Sequence, residues 1–216
     1  MKPTLYYIHD PMCSWCWGFR KVWNQVQKDL KGKIDIRIVV GGLAPDSNQI
    51  MSETMQKSIQ QNWQRIQQHI PGTQFNYSFW QICKPRRSTY PACRAVIAAR
   101  LQGEKFSKMM ILAIQQAYYL NAKNPSDDLV LIQLAGEIGL DSKQFEIDLS
   151  SDECKQLLDK ELKLTASLNV NSFPSLILNY KNSNIKIPVD YTYKKAVLLN
   201  IQEVILTKND HLLYKK

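Results

Sequence analysis

The apolar positions change period along the chain, and each change marks an element. Residues 4–9 (Thr-Leu-Tyr-Tyr-Ile-His) are rich in aromatic and branched side chains, as a buried strand is. Asp10-Pro11 breaks the run. Phe19, Trp23, Val26 and Leu30 then recur at helical spacing, and Lys31-Gly32 ends that helix. Residues 34–40 alternate and then turn wholly apolar, the pattern of a central strand, before Gly41-Gly42 closes it. The opening of the chain therefore reads β–α–β.

From about Ser47 to Leu168 the helical period dominates. Met55, Ile59, Trp63, Ile66 and Ile70 form one stripe, stopped by Pro71-Gly72. Residues 95–101, 106–120 and 129–138 predict three more helices, punctuated by Gly103, Asn124-Pro125 and Gly139. A further helix is expected from about Asp152 to Leu168. The strand pattern returns at 174–179 and 185–189, with a turn at 180–184 between them. Ala196, Val197, Ile201, Val204 and Ile205 mark a last helix, with Asp190 or Thr192 near its cap. No internal repeat or low-complexity stretch is visible. The expected architecture is an α/β domain in two parts, 1–45 and 166–216, split around an all-helical insertion, 46–165.

Composition narrows the function classes. With 216 residues and 44% hydrophobic content, the chain can bury a sizeable core. Its longest apolar stretches, such as 109–114, fall far short of the roughly 18 residues of a membrane span. No apolar leader precedes the first strand, so residence in the cytoplasm is expected. The net charge of +9 is scattered, densest at Lys84-Pro85-Arg86-Arg87 with Arg94 and Arg100 beyond. No basic run interleaves with aromatics, so neither nucleic acid nor membrane is an expected partner. Five cysteines (13, 16, 83, 93 and 154) are an odd count that does not suit a disulfide scaffold.

The informative chemistry is Pro11-Met12-Cys13-Ser14-Trp15-Cys16-Trp17-Gly18-Phe19, a C-x-x-C between a strand and a helix. Residues three apart at a helix start lie close enough for a disulfide. The first cysteine falls where backbone amides lack intrahelical partners and the helix dipole is positive. A depressed pKa and a nucleophilic thiolate are therefore expected at Cys13. Cys16, one turn in, is expected to be more buried and to resolve the mixed disulfide. Ser14 is expected to donate to the Cys13 sulfur, and Trp15 to shield it or present a contact surface. Zinc would need two further ligands, and Cys83 and Cys93, ten apart, form no knuckle, so no metal is expected.

These residues resemble the DsbA-like thiol–disulfide oxidoreductases of the thioredoxin superfamily. The phrase from His9 to Phe19 is similar to a cytosolic FrnE-like branch of predicted protein disulfide isomerases. Tyr90-Pro91-Ala92-Cys93-Arg94-Ala95 and Val170-Asn171-Ser172-Phe173-Pro174-Ser175-Leu176 extend the resemblance over essentially the whole chain. It implies a thioredoxin-like fold interrupted by a helical domain. It also implies a cis Phe173–Pro174 bond facing the C-x-x-C, where the backbone of Phe173 pairs with an extended substrate. No bound cofactor is implied; glutathione or a partner dithiol supplies electrons. The implied partners are protein or peptide disulfides and glutathione. Dimers occur among such relatives, although no pattern here marks an interface.

The expected activity is protein thiol–disulfide exchange, as oxidoreductase or isomerase. Two alternatives share the pattern. Kappa-class glutathione transferases and 2-hydroxychromene-2-carboxylate isomerases resemble this fold, but typically carry serine at the first cysteine. A chaperone-like binding protein would not need the thiols at all. His9 and Asp10 are candidate proton acceptors for Cys16, set against plain strand-end hydrogen bonding. Cys93 is read as a small buried residue rather than a second redox thiol, and Arg94 as a candidate contact for an anionic substrate. Met51, Met55, Met109 and Met110 are read as core or groove lining. Cys83, Cys154, His69 and His211 carry no constellation.

Overall fold

The computed structural model describes residues 2–210; His211 lies outside them. The chain begins with β1 (Thr4–His9), α1 (Ser14–Leu30) and β2 (Asp35–Val40). Seven helices follow: α2 (Glu53–His69), α3 (Phe79–Ile82), α4 (Tyr90–Leu101), α5 (Glu104–Tyr119), α6 (Asp128–Glu137), α7 (Ser142–Ser150) and α8 (Asp152–Ser167). The chain then returns to the sheet with β3 (Ser175–Tyr180) and β4 (Ser183–Ile187), and packs α9 (Lys194–Asp210) against it.

The sheet order is β2-β1-β3-β4. β1 runs parallel to β2, with Leu5 opposite Ile36, and antiparallel to β3, with Leu5 opposite Leu178. β3 and β4 form a hairpin whose two-residue turn, Lys181 and Asn182, has positive φ at both positions, as the right-handed strand twist demands. The expected five-residue turn is thus shorter, and β4 starts two residues earlier than its apolar pattern indicates. Because side chains alternate along a strand, Leu5, Tyr7, Leu176 and Leu178 join the core under α1 and α9, while Ile8, Val39 and Ile177 face Leu164, Leu168 and Phe173.

The inserted helices have their own core. Trp63 is fully buried, stacked on Phe75 at 4.7 Å and ringed by Trp80, Tyr118 and Tyr119. Trp17 of α1 stacks on Tyr119 and donates its indole N–H to the Gln74 carbonyl, so α1 serves both cores. Gly18 leaves room for Ile66 and Ile70 beside it. A second tie runs through Glu161 of α8. One of its oxygens accepts from Val40 N–H at the end of β2, and the other from Arg100 of α4, both at 2.6 Å.

Three differences from the sequence reading have local causes. α7 buries only Phe145 and Leu149, too few apolar positions to show a period, and is defined instead by Asp141, which caps Lys143 and Gln144. α3 is four residues long. α4 begins at Tyr90 rather than 95, because Pro91 sits in its first turn, where no amide is needed. The methionines divide: Met51 and Met110 are buried, while Met55 and Met109 are about two-fifths exposed.

His9 ends β1 fully buried, stacked on Tyr7 at 5.0 Å, with no partner of hydrogen-bonding geometry on either ring nitrogen among the described residues. Burial, reinforced by the Arg100 charge, pushes its pKa down to about 3 from an ordinary 6.5. Folding therefore keeps the imidazole neutral where the unfolded chain protonates it. Stability from this group is intact above pH 6.5 and is lost as pH falls toward 3. Urea unfolding across that window should show the wild type losing up to about 1.4 kcal/mol per pH unit relative to His9→Phe. Parallel pH profiles for the two proteins would overturn this.

Candidate active site

Asp10, Pro11 and Met12 carry the chain from β1 into α1. The Cys13 N–H donates to the Asp10 carbonyl at 3.0 Å, and Trp17 N–H to the Cys13 carbonyl at 3.1 Å. Cys13 is thus the N-cap of α1, in extended conformation. Its side chain makes no capping hydrogen bond to the first-turn amides. Both thiols are buried, Cys16 completely and Cys13 with 6% of its surface exposed.

The sulfur of Cys13 lies 3.5 Å from the carbonyl oxygen of Phe173. The Phe173–Pro174 bond is cis, immediately before β3. The Phe173 ring in turn fills the space where a side chain at Gly41 would stand; a Cβ there would come within 2.0 Å of it. Gly41 N–H donates to the His9 carbonyl. The ends of β1, β2 and β3 therefore converge on Cys13.

Cys16 sits behind this surface. Burial, with Cys13 beside it, pushes its thiol well above the usual range. Tyr7 and Tyr191 share the neighbourhood; burial raises both phenols, and the two cysteines add to it. Trp15 is half-buried, packed on Tyr191 at 5.1 Å and edge-on to His69 at 6.1 Å. His69, for which the sequence suggested no constellation, thus belongs to the rim. The expected bond from Ser14 to the Cys13 sulfur is not formed; Ser14 opens the helix half-exposed.

Asp10 is fully buried and accepts from four donors. One oxygen takes Met12 N–H at 2.8 Å; the other takes Leu43 N–H and the Thr89 hydroxyl, each at 2.6 Å, and the Cys93 thiol at 3.6 Å. Burial raises its pKa, and those hydrogen bonds offset only part of the rise. Strand-end hydrogen bonding is therefore present, but most of the donors are remote in sequence. Cys93 is the small buried residue expected, its thiol pushed well up by burial. Arg94 pairs bidentately with Asp46, an acidic partner inside the chain. Cys154 is buried and Cys83 partly so, and no disulfide is present among the described residues. No group of described residues has the makings of a metal site.

Sequence reasoning missed Tyr7, Gly41, Leu43, Thr89 and Tyr191. Gly41-Gly42 was visible as a strand stop, but nothing local announced that a ring from residue 173 needs the first glycine. Thr89, directly before Tyr90-Pro91, carried the signal of a helix start.

Comparison with known proteins places the fold. The family model described as Thioredoxin matches residues 6–206. The ClpXP adapter protein SpxH of Bacillus subtilis (strain 168) is 25% identical over 197 residues, covering 89% of this chain and 64% of that protein. The chain thus spans just under two thirds of the length of that curated relative. Among solved structures, a candidate protein disulfide isomerase from Nitrosomonas europaea matches with TM-score 0.83 and 26% identity, over 96% of this chain and 99% of that one. The cytosolic disulfide reductase DsbM from Pseudomonas aeruginosa matches in fold, with TM-score 0.74 and 20% identity, over 94% of this chain and 99% of that one. With its sheet split around a block of helices, the chain belongs to the thioredoxin family, in the DsbA-like form of that fold.

Proposed function

We propose that this chain is a protein thiol–disulfide oxidoreductase or isomerase working through Cys13 and Cys16. The observation that carries the reading is the placement of the Cys13 sulfur 3.5 Å from the Phe173 carbonyl, at the edge of a cis-proline turn, with Cys16 buried one turn behind. An extended substrate segment can pair with the Phe173 backbone there, presenting its disulfide to Cys13.

The steps balance within the protein. The Cys13 thiolate attacks one sulfur of a substrate disulfide, forms a mixed disulfide and releases one substrate thiolate. Cys16 loses its proton and attacks Cys13, releasing the second substrate thiol and closing the Cys13–Cys16 disulfide. Two electrons have then passed from protein to substrate, and glutathione or a partner dithiol returns them; run in reverse, the same steps oxidise a substrate dithiol. In this reading Asp10 takes the Cys16 proton, since a buried carboxylate of raised pKa suits that transfer. His9, with its pKa pushed down to about 3, is a poor acceptor. The proposed compartment is the cytoplasm, where an odd number of cysteines is at home.

A second reading has its own support. SpxH is named as an adapter protein, and the chain matches it over 89% of its length. An adapter would hold a protein partner on this same surface without needing turnover.

Three experiments test the reading. Equilibration in glutathione buffers, followed by alkylation and mass spectrometry, should show Cys13 and Cys16 closing in one reversible step of about 30 mV per decade. A pair that ignores the buffer would leave the adapter reading ahead. Cys13→Ser should cut disulfide exchange at least about a hundredfold, since the thiolate is the nucleophile. Gly41→Ala should slow exchange by up to about a hundredfold by displacing Phe173, with far-ultraviolet circular dichroism unchanged. Wild-type turnover in Gly41→Ala would remove Phe173 from the substrate site.

A further inference from the structure

A cleft of about 310 Å³ opens between α1 and α5, with Tyr7 and Cys16 among its lining residues. Its sheet residues, Tyr7 and Ile38, alternate with Ile8 and Val39, so it lies on the opposite face of the sheet from Phe173. It is separate from the surface that Cys13 presents.

The lining combines an apolar wall with unsatisfied polar groups. Trp23, Met109 and Leu112 supply apolar surface. Gln115 is 2% exposed, yet its amide oxygen has no hydrogen-bond partner. A buried oxygen left unpaired is unfavourable, and a ligand donor would relieve it. Arg20 also lines the cleft; its Nε is buried without a partner, and its guanidinium stacks 4.3 Å over Trp17. Arg86, Arg94 and Arg100 each pair with a carboxylate, whereas neither Arg20 nor the neighbouring Lys108 does among the described residues. Two cations and a buried acceptor thus converge on a largely apolar cavity, the composition of a small-molecule site.

We propose that this cleft binds a small amphipathic anion whose apolar body carries an N–H group. The anionic head pairs with Arg20 and Lys108, the body lies against Trp23, Met109 and Leu112, and the N–H satisfies Gln115. The site does not depend on the thiol chemistry, and its test does not read turnover.

The probe is 8-anilinonaphthalene-1-sulfonate, which has an aryl body, a sulfonate and an N–H. Titrated into the full chain, it should give saturable fluorescence with one site and shift the Gln115 side-chain amide resonances. Lys108→Glu should weaken binding roughly tenfold by reversing one charge at the head group. Leu112→Trp should fill the cleft and abolish the saturable signal; if that variant fails to fold, Met109→Trp, at a position 41% exposed, fills the same space. Absence of saturable binding to the wild type overturns the proposal. So does binding that survives the tryptophan, which puts the probe elsewhere, or binding indifferent to Lys108→Glu, which removes the anion.

Discussion

The carboxylate of Asp10 must be buried and still be satisfied, and its donors come from three separate stretches of chain. Met12 belongs to its own loop, Leu43 follows β2, and Thr89 and Cys93 bracket the start of α4. Thr89 also accepts from Ala44 N–H, closing the ring between the β2 exit and α4. A buried carboxylate deprived of these partners would carry several kcal/mol of uncompensated cost. The end of β1, the exit from β2 and the start of α4 are therefore held in one arrangement. Glu161 braces the same junction from α8, through Val40 and Arg100. Cys13 stands directly after this knot, so the position of its sulfur against Phe173 follows from how the insertion is bolted to the sheet.

The same construction makes the two thiols unequal. They share a helix start, yet Cys13 caps it at the surface where β1, β2 and β3 end, while Cys16 lies beneath with Tyr7. Burial holds the Cys16 thiol protonated well past neutral pH. In the proposed exchange this inequality sets the order of events: Cys13 meets the incoming disulfide, and Cys16 acts once its proton has somewhere to go. The aromatic rim of Trp15, Tyr191 and His69 joins α1, the loop before α9 and the end of α2. The insertion therefore contributes to the surface a substrate would meet.

What could be read from the sequence was what is local. The β–α–β opening, the return to strands near residue 174 and the C-x-x-C all announce themselves within a dozen residues, and each lies where its pattern places it. The cis bond at Pro174 was expected only from family resemblance, since a proline before a strand is ordinary. Contacts that close across the fold show no local pattern: Asp10 with Thr89 spans 79 residues, and Cys13 with Phe173, expected only from the resemblance, spans 160. Ser14 shows the converse error, because a plausible local hydrogen bond lost to the helix start. Short elements such as α3 and α7 were invisible because one or two buried side chains cannot display a period.

α1 is where these constraints meet. Phe19, Trp23 and Val26 commit one side of the helix to the sheet, and Trp17 commits another to the inserted core. Gly18 gives the space against Ile66 and Ile70, while Arg20 and Trp23 line the cleft beneath α5. A helix engaged on so many sides cannot turn about its axis without breaking a packed face or unpairing Trp17 from Gln74. The C-x-x-C is thus fixed by the whole molecule rather than by its own loop. A group seated between α1 and α5 would bear on the same rigid body that carries Cys13 and Cys16. Coupling between the cleft and the thiols then requires only that the spacing of the two helices differ between the open and closed forms of the pair.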